Sequence, residues 1–262
     1  MSGKQFTVWF FKRIRRRLLI NKKLREYLVY AIGEIVLVVI GILIALAIDT
    51  GTQQRATEEK ESEYLMGLRE EFRLNRLKLE ELIRVNRRSY EVGNRIANHI
   101  SQYTEPPSEG DFAEMLYQSF AYDIAFNPNN SLLLEIINSG SLQDLSDLEL
   151  RLLLTNWMAT LTDIGQQEEE LYHQRERVLD LFSSDAYSIR TVFDLTGVSE
   201  RELKLPRAND HHSNLALLES AEFENHLLLF LLTSRSTETL HYRPLLAQVD
   251  RILQRLEGAA DN

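Results

Sequence analysis

Residues 28–48 read LVYAIGEIVLVVIGILIALAI, and Glu34 is their one acidic or basic side chain. At about 1.5 Å per residue, some twenty such positions in one α-helix cover the roughly 30 Å hydrocarbon core of a bilayer. Outward from this run the chain changes character on both sides. The N-terminal side is short and basic: residues 1–25 hold nine lysines and arginines and no acid. The C-terminal side is long and acidic. Of the 262 residues and the formal charge of −9, residues 26–262 carry 21 basic against 39 acidic side chains, a charge of −18.

That asymmetry sets an orientation. Lysine and arginine near a span stay on the cytoplasmic side. Lys12, Arg13, Arg15, Arg16, Arg17, Lys22 and Lys23 therefore predict a cytoplasmic N-terminus, with the acidic mass across a bacterial inner membrane in the periplasm. Cleavage after Ala47 is the competing reading, since Ala45-Leu46-Ala47 has the small-x-small form of a signal-peptidase site. The apolar run exceeds the usual core of about 7–15 residues, which favours an uncleaved anchor. Phe6, Trp9, Phe10, Phe11, Ile14 and Leu18 interleave with the basic residues, as in a helix lying in the lipid interface and pairing with anionic headgroups. Topology alone also accounts for those charges.

Composition narrows the chemistry. Without a basic face on the large domain, nucleic acid is not an expected partner. Without cysteine, disulfides, thiolate nucleophiles and Cys-based zinc sites are excluded. No cofactor is called for.

The span resembles the signature of a family of bacterial single-span membrane proteins of unknown function, on residues 30–46, YAIGEIVLVVIGILIAL. Residues 133–142, LLEIINSGSL, leading to 148–151, LELR, are similar to the family's downstream pattern. The resemblance implies a basic tail, one span and a helical extramembrane region, and implies no activity. Family members often continue with a Gln-Ile-Asn-Asn-Trp-like stretch, whereas this chain has AIDTG at 47–51.

Physics adds to the resemblance. A carboxylic acid at the centre of a span costs about 2.5–3.5 kcal/mol, less toward the interface, and burial favours its neutral form. Glu34, Val38, Gly41, Ala45 and Ile48 recur at steps of four and three and share one helix face. Gly41 and Ala45 form a small-xxx-small pair that lets two helices approach closely. This stripe predicts self-association with Glu34 turned inward. There it would serve as a hydrogen-bonding group, a partner for a basic residue such as Arg25, or part of a ring lining an ion path.

Beyond the span, the pattern is helical throughout: an all-α chain with a basic segment over 1–27, a transmembrane helix over 28–49, a long helix or stalk over 50–104 and a helical domain over 105–262. Leu65, Leu68, Phe72, Asn75, Leu79, Leu82, Asn86, Ser89, Gly93, Ile96 and Ile100 follow coiled-coil spacing. The polar members weaken such a seam and favour an intramolecular bundle over an oligomeric stalk. Pro106 and Pro107 break the chain; short helices over 111–126 and 131–139 follow, the second closed by Gly140. Ser146 and Glu149 read as a capping box opening a helix to about Phe182, and Ser220 as the cap of a last helix kinked at Pro244. Residues 183–214, polar with Gly197 and Pro206, read as a mobile loop.

Candidate chemistry is sparse. Asp210-His211-His212 resembles part of a phosphoesterase metal motif but stands alone, and adventitious surface histidines are the preferred explanation. His99, His173, His226 and His241 lack ligand-spaced partners. Tyr172, Tyr187, Tyr242 and Arg243 would line a pocket or simply pack. The expectation is a non-enzymatic inner-membrane protein with membrane lipids, copies of itself and envelope proteins as partners. An oligomeric ion channel or proton-coupled device using Glu34 is one alternative, a periplasmic metal-dependent hydrolase using Asp210, His211 and His212 another.

Overall fold

A computed structural model describes residues 22–102 and 105–260. It is all-α, with no strand among the described residues. Helix α1 runs from Lys22 to Gln102, α2 from Glu109 to Phe120, α3 from Ser131 to Asn138 and α4 from Leu148 to Leu179. After the short helices α5 (Ile189–Leu195) and α6 (Val198–Arg201) come α7 (Ala221–Ser236) and α8 (Arg243–Ala260). The chain divides into two units, Met1–Lys60 and Glu61–Asn262.

In the first unit every described side chain from Glu26 to Lys60 is exposed. This is the one described helix long and apolar enough to cross a membrane, by length and composition. Its polar continuation satisfies itself locally: the Thr50 and Thr52 hydroxyls each donate to a carbonyl one turn back, at 2.7 Å.

The second unit closes a core of its own. Leu65, Leu68, Phe72, Leu79 and Ile96 of α1 are buried against α2, α3, α4, α7 and α8. The polar seam positions have partners within the chain, because a buried amide without one costs as much as a lost hydrogen bond. Asn75 donates to the Asn129 carbonyl at 2.8 Å and accepts from the Asn129 N–H at 2.6 Å. Asn86, fully buried, donates to the Ser234 carbonyl at 2.9 Å and accepts from the Ser234 hydroxyl at 2.6 Å. Residues 61–102 are thus the first helix of a bundle.

Gly93 shows how closely α1 and α7 meet. A Cβ there would stand 2.7 Å from Leu231 Cδ2. Gly93→Leu should therefore cost about 1–3 kcal/mol by overpacking. In a thermal melt, Leu231→Ala in the same chain should recover part of that loss; no recovery would show that the contact is not the cause.

The helix ends follow their caps. Ser108, Ser188 and Ser220 accept from the N–H three residues on, at 3.1, 3.1 and 3.3 Å, and open α2, α5 and α7. Helix α4 departs from the expected capping box: Asp147 is its cap, accepting from Glu149 and Leu150 N–H groups. Arg255 of α8 holds that carboxylate at 3.0 Å, and Ser146 instead gives its N–H and hydroxyl to Glu61 at 2.6 and 2.7 Å. Helix α3 borrows a cap, its Leu132 and Leu133 N–H groups donating to the Glu71 carboxylate of α1. Gly140 closes it in the left-handed conformation, φ 74°.

At Pro244 the backbone adjusts through a π-helical turn. Between α7 and α8 the chain widens into a π-helical turn, Thr237–Tyr242, in which the Arg243 N–H reaches the Glu238 carbonyl. A proline ring collides with the carbonyl four residues back and offers it no donor. Widening by one residue relieves both problems. Residues 183–214 likewise hold more structure than expected, carrying α5 and α6 and two buried polar anchors, Asp194 and Asn214.

Candidate functional site

The residues singled out in the apolar run lie on exposed helix. Glu34, Gly41 and Ala45 are exposed, and a Cβ at Gly41 would meet nothing within 4 Å. Lys22 and Lys23 start α1, while Lys12, Arg13, Arg15, Arg16 and Arg17 lie outside the described residues.

Among the described residues, Glu238, Asp194 and the partly buried Glu168 carry the shifted carboxylates of the bundle's polar interior. Glu238, on the π-turn, is fully buried and accepts from Arg87, from Tyr90 at 3.0 Å and from Arg243 at 2.8 and 3.0 Å. Burial alone would raise its pKa; the hydrogen bonds from Arg87, Arg243 and Tyr90 outweigh this and hold it below the usual range. Asp194 is also fully buried, and its pKa is likewise lowered. Burial opposes ionisation there, while the Ala208 N–H at 2.9 Å and Arg190 at 2.9 Å favour it.

Glu168 behaves oppositely. Burial raises its pKa although Tyr242 donates to it at 2.7 Å and the Phe126 N–H at 2.8 Å. Tyr242 is raised too, by burial and by that carboxylate. For a carboxyl whose folded pKa is raised, the contribution to stability is full at pH below the ordinary value and fades as pH rises through the folded one. Glu168→Gln, which copies the neutral form, should therefore raise the melting temperature at pH 7 and leave it unchanged under acid conditions. An equal shift at both pH values would refute the assignment.

The histidine motif does not converge. His211 Nε2 lies 3.3 Å from Asp194, and His212 Nε2 lies 2.8 Å from the Ala186 carbonyl. Among the described residues no group of three or more His, Asp or Glu side chains is placed to hold a metal ion. Nor do Tyr172, Tyr187, Tyr242 and Arg243 gather: Tyr172 is exposed, Tyr187 stacks edge-on with Phe182, and the other two serve different carboxylates.

A cleft of about 490 Å³ lies elsewhere, between α2, the C-terminal end of α4, α5 and α6. Leu116 and Phe120 line one wall, Leu179 and Phe182 another, Val192 and Phe193 a third. Arg175 also lines it, and its Nε donates to the Phe120 carbonyl at 2.8 Å, closing the end of α2. Sequence reasoning missed it because most of the lining residues read as ordinary core. The cleft exists only where four elements fail to meet.

The family described as "Family of unknown function (DUF6090)" matches residues 34–192, more than half of the chain. The chain belongs to this family. The DUF6090 match begins at Glu34 and ends at Val192, taking in Gly41, Ala45, α1 from that point and the whole of α2, α3 and α4. It stops inside α5, before the π-turn and Glu238. Membership agrees with the resemblance drawn from the span insofar as both indicate a family of unknown function. No curated protein and no solved structure matches the chain.

Proposed function

We propose that this DUF6090 member is a non-enzymatic bitopic protein of the bacterial inner membrane. Its span anchors and self-associates, and its helical domain stands in the periplasm for a structural, binding or sensing role. One observation carries the reading: residues 28–48 are apolar but for Glu34 and exposed throughout, whereas the bundle beyond Glu61 buries most of its large apolar side chains, wholly or in part, in a core of its own. A bare run of that length has lipid as its natural solvent, where a helix satisfies every backbone group internally. The basic tail supports the orientation and the Gly41–Ala45 face supports the self-association.

Membranes washed with alkaline carbonate should retain the full chain; release into the supernatant would overturn the anchor. Mass measurement in mild detergent should give an oligomer that Gly41→Leu reduces to the monomer. A monomer for both chains would remove the association face.

A further inference from the structure

The cleft between α2, α4, α5 and α6 has an end-to-end polarity that its volume alone does not convey. At one end Arg175, whose side chain is 15% exposed, spends Nε on the Phe120 carbonyl and Nη1 on Glu176 at 2.8 Å. Its Nη2 has no partner among the described residues. From Arg175 to Ser183 the wall runs for roughly 12 Å along the chain, by helical rise. Leu179 and Phe182 on this wall, with Ile189 and Phe193 of α5, offer no charge. The volume falls in the range of about 300–1,000 Å³ common for small-molecule sites, which are apolar with a few placed polar groups.

Resting on the membrane reading above, we propose that this cleft binds a single-chain anionic amphiphile. The acyl chain lies along the Leu179–Phe193 wall and the oxyanion meets Arg175 Nη2. The observations favour this occupant over a partner helix: a cleft of about 490 Å³ is of small-molecule size, and one arginine among mostly apolar lining residues complements one negative head on one tail. A carboxylate or a lysophospholipid phosphate supplies the same chemistry.

The test uses the full chain in proteoliposomes with three photoactivatable C16 probes: a fatty acid, a lysophosphatidate and a fatty alcohol. Peptide mapping after irradiation locates the label. Either acidic probe should mark peptides of α2 and of residues 175–198 about tenfold more than the alcohol does, the ratio set by one charge-assisted hydrogen bond. Which acid does so names the headgroup. All three should mark residues 28–48. Arg175→Gln should abolish the preference for acid. Ser183→Trp, at an exposed position on the rim, should lose the cleft label with folding intact by circular dichroism and the span label unchanged. Label on the span alone overturns the cleft proposal and leaves the anchor standing; label on neither overturns both. Equal cleft labelling by acid and alcohol overturns the role of Arg175.

Discussion

Trp157→Ala lowers the stability of the bundle by about 3–5 kcal/mol, the loss expected when the largest side chain of a closed core is removed. Trp157 is fully buried, edge-on to Phe72 of α1 at 5.2 Å and to Phe126 at 6.2 Å. Its indole Nε1 donates to Asn130 Oδ1 at 3.0 Å, which draws the residue before α3 onto α4 instead of capping α3. Truncation thus opens a cavity where α1, α3 and α4 meet and also orphans the Asn130 carbonyl oxygen. For a domain of this size each kcal/mol moves the midpoint by roughly 2–4 °C. The detergent-solubilised chain should melt well over 6 °C lower, and Trp157→Phe should recover part of the difference. A shift of a degree or two would mean that this junction is not the centre of the core.

Arg87→Ala and Arg243→Ala together cost more than Glu238→Ala. The asymmetry follows from burial: the Glu238 side chain is inaccessible, whereas Arg87 and Arg243 are 41% and 57% exposed. Removing both arginines strands a carboxylate in the interior with Tyr90 alone, a loss of about 3–5 kcal/mol. Removing the carboxylate lets both guanidinium groups return to water. In a Glu238→Leu background the arginine substitutions should cost little, a coupling that a double-mutant cycle reads directly. Because the folded pKa of Glu238 is depressed, its contribution is present above the ordinary carboxylate range and lost as pH falls through the folded value. The cost of the arginine pair should therefore shrink in acid. A cost that did not change with pH would place the effect in packing.

What the sequence disclosed and what it hid divide along the range of the interactions. The helical phase of Leu65, Leu68, Phe72, Leu79 and Ile96 was legible because it depends on neighbours three and four positions away. That Asn75 and Asn86 belong to a bundle was legible only as a weakness in the seam; their partners, Asn129 and Ser234, lie 54 and 148 positions from them. The cap of α4 moved by one residue because Ser146 and Asp147 are both able caps, and distant contacts with Glu61 and Arg255 decide between them. Pro244 marked where the last helix must change, without saying that the backbone widens by one residue there. Residues 183–214 looked loop-like because their order comes from Asp194 and Asn214 bonding to backbone groups, a signal with no period. The cleft was invisible for the same reason: no local pattern records where helices fail to meet.

Everything rests on the apolar run lying in the bilayer with the acidic bundle on its far side. The chain has no cysteine, so two single substitutions report its sidedness without background. Asp210→Cys, exposed on the bundle, should react with a membrane-impermeant maleimide in intact spheroplasts, whereas Ser2→Cys should react only after lysis. The reverse pattern, or reaction of both before lysis, would contradict the account.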